Sequence, residues 1–177
     1  MIKLITGGIR SGKSNFAQNL LKTKDVCYIA TSKVEDEEMK ARVKKHIESR
    51  PKDWRTFEDY KNLQRAVGLE ENYILECLGN LCSNILYDIT KDMEKIDSET
   101  QKLVEDLIFE EIFKLIKKIK SENKNLIIVT NEVGQTLVPI NHLSRVYTDI
   151  LGRTNQRVGN LADSIYLVVC GAGIKIK

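Results

Sequence analysis

Lys3-Leu4-Ile5-Thr6-Gly7-Gly8-Ile9-Arg10-Ser11-Gly12-Lys13-Ser14 is the stretch on which the reading of this chain turns. Gly7, Gly12, Lys13 and Ser14 complete the spacing G-x-x-x-x-G-K-S. The context agrees with the spacing. The apolar run Ile2–Thr6 reads as a short buried strand leading in. Asn15–Leu21 reads as a helix leading out, with Phe16, Ala17, Leu20 and Leu21 on one side. The glycines let the backbone turn sharply and aim its N–H groups at phosphate oxygens. The helix presents the positive end of its dipole to the same anion. Lys13 suits neutralisation of the outer phosphates, and Ser14 suits coordination of Mg2+. A glycine-rich turn carrying a lysine by chance would not explain both motif and context. The loop alone does not name the base, nor separate hydrolysis, phosphoryl transfer and switching.

Further along, apolar runs alternate with longer amphipathic stretches. Strands are expected at Val26–Thr31, Tyr73–Cys77, Leu126–Thr130 and Ile165–Val169, with an edge strand at Ile174–Ile176. Helices are expected over Asp36–Ser49 (stopped by Pro51), Glu58–Val67, from Cys77 to about Ile89, Glu99–Lys120 and Leu143–Leu151. In the longest of these, Leu103, Leu107, Ile108, Ile112, Leu115, Ile116 and Ile119 recur at helical spacing. Lys91–Thr100 reads as a polar surface loop. Strands alternating with helices predict an α/β fold, a mostly parallel sheet with helices on both faces.

The 177 residues favour one domain, 1–177, large enough to fold without a disulfide or metal staple. Net charge is +3, too small an excess to argue for nucleic acid; a site for phosphorylated ligands accounts for it. Cys27, Cys77 and Cys170 sit in apolar runs and no cysteine pair has CxxC spacing, so reduced core thiols are expected rather than a metal site. No stretch approaches membrane-spanning length, and a cytoplasmic protein is expected.

Two groups offer a task for the loop. Glu76 ends an expected strand, where a carboxylate holds Mg2+ directly or through water, or is an ordinary strand-end charge. Glu132 ends another in the same way. His46 shares one arc of a helical wheel with Met39, Val43 and Ile47, while Lys40, Lys44 and Lys45 lie off it. That spacing fits a core histidine with a satisfied hydrogen bond. It also fits a nucleophile: an imidazole can attack the α-phosphorus of a nucleoside triphosphate and carry the nucleotide as a phosphoramidate. Lys44, Lys45 and Arg50 would favour the neutral ring and bind phosphate.

Several stretches taken together resemble one family, the bifunctional adenosylcobinamide kinase / adenosylcobinamide-phosphate guanylyltransferase of cobalamin biosynthesis. They are Thr6-Gly7-Gly8-x-Arg10-Ser11-Gly12-Lys13-Ser14; Tyr28-Ile29-Ala30-Thr31-Ser32; Asp36-x-Glu38-Met39-x-x-Arg42-Val43-x-x-His46-x-x-x-Arg50-Pro51-x-x-Trp54; Leu75-Glu76-Cys77-Leu78; Thr130-Asn131-Glu132-Val133-Gly134; Val138-Pro139; and Gly152-Arg153-x-Asn155-Gln156. The chain departs from the pattern at Gly79-Asn80, Thr136 and Gly171–Ile174, none of them in the phosphate loop or at His46.

The resemblance implies a RecA-like P-loop NTPase fold assembled as a homotrimer. It implies that ATP or GTP phosphorylates adenosylcobinamide. GTP then guanylylates a histidine, and GMP passes to adenosylcobinamide phosphate, giving adenosylcobinamide-GDP and pyrophosphate. Carried over by motif, His46 is the nucleophile and Lys13 a catalytic partner. Gly7, Gly8, Ile9, Arg10, Ser11, Gly12, Lys13 and Ser14 bind nucleotide, with Ala30, Thr31 and Ser32 close by. Ile47, Glu48, Ser49 and Arg50 line the guanine-nucleotide site, with Glu58 and Glu76 as further contacts. Ser14 and Glu76 are the Mg2+ candidates. Asn131, Arg153, Asn155 and Gln156 match the motifs yet fit folding or subunit contacts equally. The competing readings are a P-loop small-molecule kinase with a structural His46, and a non-catalytic GTP-binding switch. Partners are expected to be small molecules, not nucleic acid or membrane.

Overall fold

The computed structural model describes residues 1–33, 51–135 and 137–177. The helix expected over Asp36–Ser49, and with it His46, Ile47, Glu48, Ser49 and Arg50, lies outside the described residues, as does Thr136.

Seven strands form one sheet: β1 (Ile2–Thr6), β2 (Val26–Ala30), β3 (Arg55–Glu58), β4 (Asn72–Glu76), β5 (Asn125–Val129), β6 (Ser164–Val169) and β7 (Ala172–Lys175). Their order is β3-β2-β4-β5-β1-β6-β7. Every pairing is parallel except β6 with β7. The helices are α1 (Lys13–Asn19), α2 (Leu78–Thr90), α3 (Ser98–Ser121) and α4 (His142–Leu161), with one 3-10 turn at Leu63–Ala66.

The central strands are near-continuous apolar runs because both faces are covered. On one face Ile2, Leu4, Leu75, Leu126 and Ile128 pack against the stripes of α2, α3 and α4. On the other, Ile5, Tyr28, Ile74, Ile127 and Val129 pack with Ala17 of α1 and with Trp54. The indole N–H of Trp54 donates to Thr23 O at 3.1 Å, which settles its one polar atom. Helix α3 is built as its sequence asks. Asp97 caps it by accepting from Thr100 N–H at 2.8 Å, and Lys118 and Lys120 stand in the last turn. Its buried stripe is Val104, Ile108, Ile112, Leu115, Ile116 and Ile119, whereas Leu103 is half exposed.

Four local expectations change. Glu58–Val67 is not a helix. Arg55–Glu58 pairs with β2 as an edge strand, and Asp59 Oδ1 then accepts from the N–H groups of Tyr60 and Lys61, turning the chain before the short 3-10 segment. Helix α4 continues ten residues past Leu151, through Gly152 and Gly159, because Leu151, Thr154 and Val158 extend the buried stripe. Helix α1 begins at Lys13 and ends at Asn19, directly on the phosphate loop. Cys170 is exposed at the β6–β7 turn instead of buried, while Cys27 and Cys82 are core thiols.

Candidate nucleotide site at the carboxyl edge of the sheet

The register lines up the carboxyl ends of the parallel strands. Ala30 lies opposite Glu58 and Glu76, and Glu76 opposite Val129. In sheets of this kind ligands bind along that edge. The phosphate loop rises from it. Gly7 has φ +153° and Gly12 has φ +94°, so the loop uses backbone conformations open to glycine. A β-carbon on Gly7 would stand 2.3 Å from Val168 O, which shows how closely the loop is pressed onto β6. The β6–β7 turn closes the other side, where Gly171 N–H donates to Ser11 O at 2.8 Å. Ile9 and Arg10 project into solvent.

Lys13 is buried, and its ammonium donates to Gly8 O at 2.6 Å. Burial lowers its pKa, opposed by the charges of Cys77 and Glu76. Ser14 Oγ donates to Glu76 Oε1 at 2.6 Å, so the hydroxyl and carboxylate singled out by sequence meet across the one strand, β5, that separates β1 from β4. Burial raises the Glu76 pKa; the Ser14 hydrogen bond and the Lys13 charge oppose it. Ser11 Oγ is buried, with no hydrogen-bond partner among the described residues. A hydroxyl, a carboxylate and a lysine gathered at the phosphate loop suit phosphate and a hard divalent cation.

The end of β2 is tied to Glu76. Thr31 N–H donates to Glu76 O at 3.0 Å. Thr31 Oγ1 lies 3.0 and 2.9 Å from the carbonyl oxygens of Glu76 and Cys77, and accepts from Cys77 N–H at 3.0 Å. Asn84 and Asn80 of α2 donate to Thr31 O at 2.7 Å and Ser32 Oγ at 2.8 Å. The end of β2 is therefore fastened to the backbone at Glu76 and Cys77 and to the first turns of α2. Glu58, in register with the same Ala30, stands exposed on edge strand β3, two strand spacings from Glu76, or about 10 Å at the usual inter-strand distance.

Asn155 serves the fold. Its carboxamide, on α4, accepts from Thr130 Oγ1 at 2.7 Å and donates to Asn131 O at 3.0 Å. That clamp holds the end of β5, from which Glu132 N–H donates to Gly7 O at 3.0 Å. Asn155 thus positions the strand end against which the phosphate loop rests. Arg153 instead pairs with Glu105 of α3 at 2.6 Å, a contact between helices.

Residues 3–176 match the family described as cobinamide kinase / cobinamide phosphate guanyltransferase. The chain belongs to this family. It is 39% identical over 182 residues to the bifunctional adenosylcobalamin biosynthesis protein CobU of Escherichia coli K12, all of both chains being covered. It is 40% identical over 184 residues to the protein of the same name from Salmonella typhimurium LT2, again over the whole of both. The bifunctional adenosylcobalamin biosynthesis protein CobP of Pseudomonas aeruginosa is 31% identical, with 100% of this chain and 98% of that one covered. Among solved structures, an ATPase of a type III secretion system superposes with a TM-score of 0.56 at 8% identity, over 98% of this chain and 56% of that one, a likeness of fold alone. The protein is accordingly a P-loop enzyme of cobalamin biosynthesis with the kinase and guanylyltransferase activities of its family. No described helix is long and apolar enough to cross a membrane.

Proposed function

We propose that the protein phosphorylates the aminopropanol hydroxyl of adenosylcobinamide and then transfers GMP from GTP to the new phosphate through guanylylated His46. The observation that carries the nucleotide chemistry is the Ser14–Glu76 contact of 2.6 Å beneath the phosphate loop. In the first reaction the hydroxyl oxygen attacks the γ-phosphorus, the β–γ bridge breaks and the nucleoside diphosphate leaves. The loop N–H groups and Lys13 take up the charge on the equatorial oxygens. In the second, an imidazole nitrogen of His46 attacks the α-phosphorus of GTP and pyrophosphate leaves. A phosphate oxygen of adenosylcobinamide phosphate then displaces the imidazole, forming the diphosphate bond. One loop serves both steps because both require the outer phosphates to be held.

The donor set fits Mg2+. Ser14 and Glu76 offer hard oxygens, and phosphate oxygens complete the shell usual for this ion. When bound, the ion supplies charge neutralisation at the phosphates. Among the described residues there is no cluster of three or more metal-binding side chains, so an ion shared with substrate suits this site better than a protein cage. Thr31 and Ser32 shape the wall beside Glu76, and Ile47 to Arg50 with Glu58 form the guanine end. The kinase step is proposed to accept ATP as well as GTP, in a cytoplasmic homotrimer whose mass light scattering would report.

Incubation with α-labelled GTP tests the reading. Acid-labile label should appear on the protein and be lost in His46→Ala. Absence of any covalent label would leave a plain P-loop kinase. Label passing from γ-labelled nucleotide to adenosylcobinamide reads out the first reaction separately.

A further inference from the structure

A second concavity lies beside the phosphate loop, on the α4 face of the sheet. It is a groove of about 820 Å3, within the range of about 300–1,000 Å3 typical of small-molecule sites. Its floor is the sheet at Leu4, Thr6 and Ile165, and one wall is α4 with Gln156 and Asn160. Thr6 and Glu132 bring the groove to the loop: Thr6 precedes Gly7, and Glu132 N–H is bonded to Gly7 O.

Three features suit a ligand. Thr6 is only 9% exposed, and its Oγ1 has no hydrogen-bond partner among the described residues. A buried hydroxyl left in that state is costly unless something binds it. The carboxamides of Gln156 and Asn160 line the groove and are outside the hydrogen bonds that tie α4 to the fold, where Asn155 serves instead. Finally, Gly152 and Gly159 line it from within a helix, where each costs about 1 kcal/mol relative to alanine. A β-carbon on Gly152 would meet nothing within 4 Å, so the space opposite it is open.

We infer that this groove is the corrinoid site, holding the carboxamide-fringed edge of the macrocycle so that its aminopropanol arm reaches past Thr6 and Glu132 to the nucleotide. This deepens the reading above and rests on it. Ile165 gives the floor one partly exposed apolar side chain for the ring to meet. Side-chain carboxamides on α4 both donate and accept, which matches the primary amides of the ligand group for group. The nucleotide occupies the carboxyl edge around Glu76, so the two substrates approach the loop from different sides.

The test is binding of cobinamide, without nucleotide, to the whole protein and two variants. Gly152→Leu fills the open space while improving helix propensity. It should weaken cobinamide binding by about tenfold or more while leaving oligomeric mass and self-guanylylation by GTP unchanged. Gln156→Ala should weaken it by about fivefold, the worth of one hydrogen bond. It decides the matter if Gly152→Leu does not fold. Unchanged cobinamide affinity in the folded variants overturns the inference. So does a Gly152→Leu protein whose mass shifts, which would make the groove a subunit interface. Failure of the histidine intermediate would appear separately, as absence of label in the parent protein, with cobinamide binding untouched.

Discussion

Gly7→Ala is the sharpest perturbation the phosphate loop offers. An added β-carbon would lie 2.3 Å from Val168 O and 2.9 Å from Ser11 Oγ. The serine can rotate away, but the carbonyl belongs to β6 and cannot. An ordinary contact begins near 3.4 Å, so loop and strand must part by roughly 1 Å. The backbone at φ +153° adds strain for any residue with a side chain. Overpacking and strain together cost about 3 kcal/mol. For a chain of this size that lowers the melting temperature by about 6–12 °C. A 1 Å misplacement of catalytic groups costs about a hundredfold in rate, so nucleotide affinity and kcat should fall far more than stability does. Gly8→Ala is the steric contrast, since its β-carbon would meet nothing within 4 Å, and it should melt with the parent. Thermal melts and fluorescent-nucleotide titration measure both effects. A Gly7→Ala protein with parental melting temperature and affinity would refute the close packing of loop on β6.

Other outcomes follow from the same geometry. Because burial raises the Glu76 pKa, the folded state holds that proton more tightly than the unfolded chain. Its contribution is present below the ordinary glutamate pKa and is lost as pH rises through the raised value. Glu76→Gln should therefore unfold at higher urea than the parent at neutral pH, with the gap closing in acid, while Mg2+-dependent nucleotide binding is lost. Asn155→Ala strands the Thr130 hydroxyl and the Asn131 carbonyl and should cost about 2 kcal/mol in urea unfolding. Thiol labelling followed by mass spectrometry should find Cys170 modified first. Burial pushes the Cys27 pKa up to about 11 and that of Cys82 higher still, so both should label only on unfolding.

The fold was legible where burial is two-sided. Strands β1, β4 and β5 are apolar runs because helices cover both faces, and such runs mark themselves. Edge strand β3 does not: Arg55 and Glu58 are exposed, and its pairing to β2 is tertiary. The end of α4 was hidden by Gly152 and Gly159, whose low helix propensity is overridden by the stripe from Val146 to Val158. In the site, Lys13 and Ser14 follow from loop spacing. The pairing of Ser14 with Glu76 does not, because it depends on β5 entering between β1 and β4, an order no local pattern encodes. The Asn155 clamp spans about two dozen residues and needed the packed helix to be seen.

The short turn between β6 and β7 has a bearing on how the chain reaches its working state. Residues 7–14 are made early, yet Gly171 N–H and the Val168 carbonyl fix two sides of their loop. Contacts so distant in sequence form late, after their closure entropy has been met. During synthesis, then, the phosphate-binding residues remain without their mould until the last strands emerge. Nucleotide cannot template the early steps of folding; it rewards only the finished domain, by mass action on the native state.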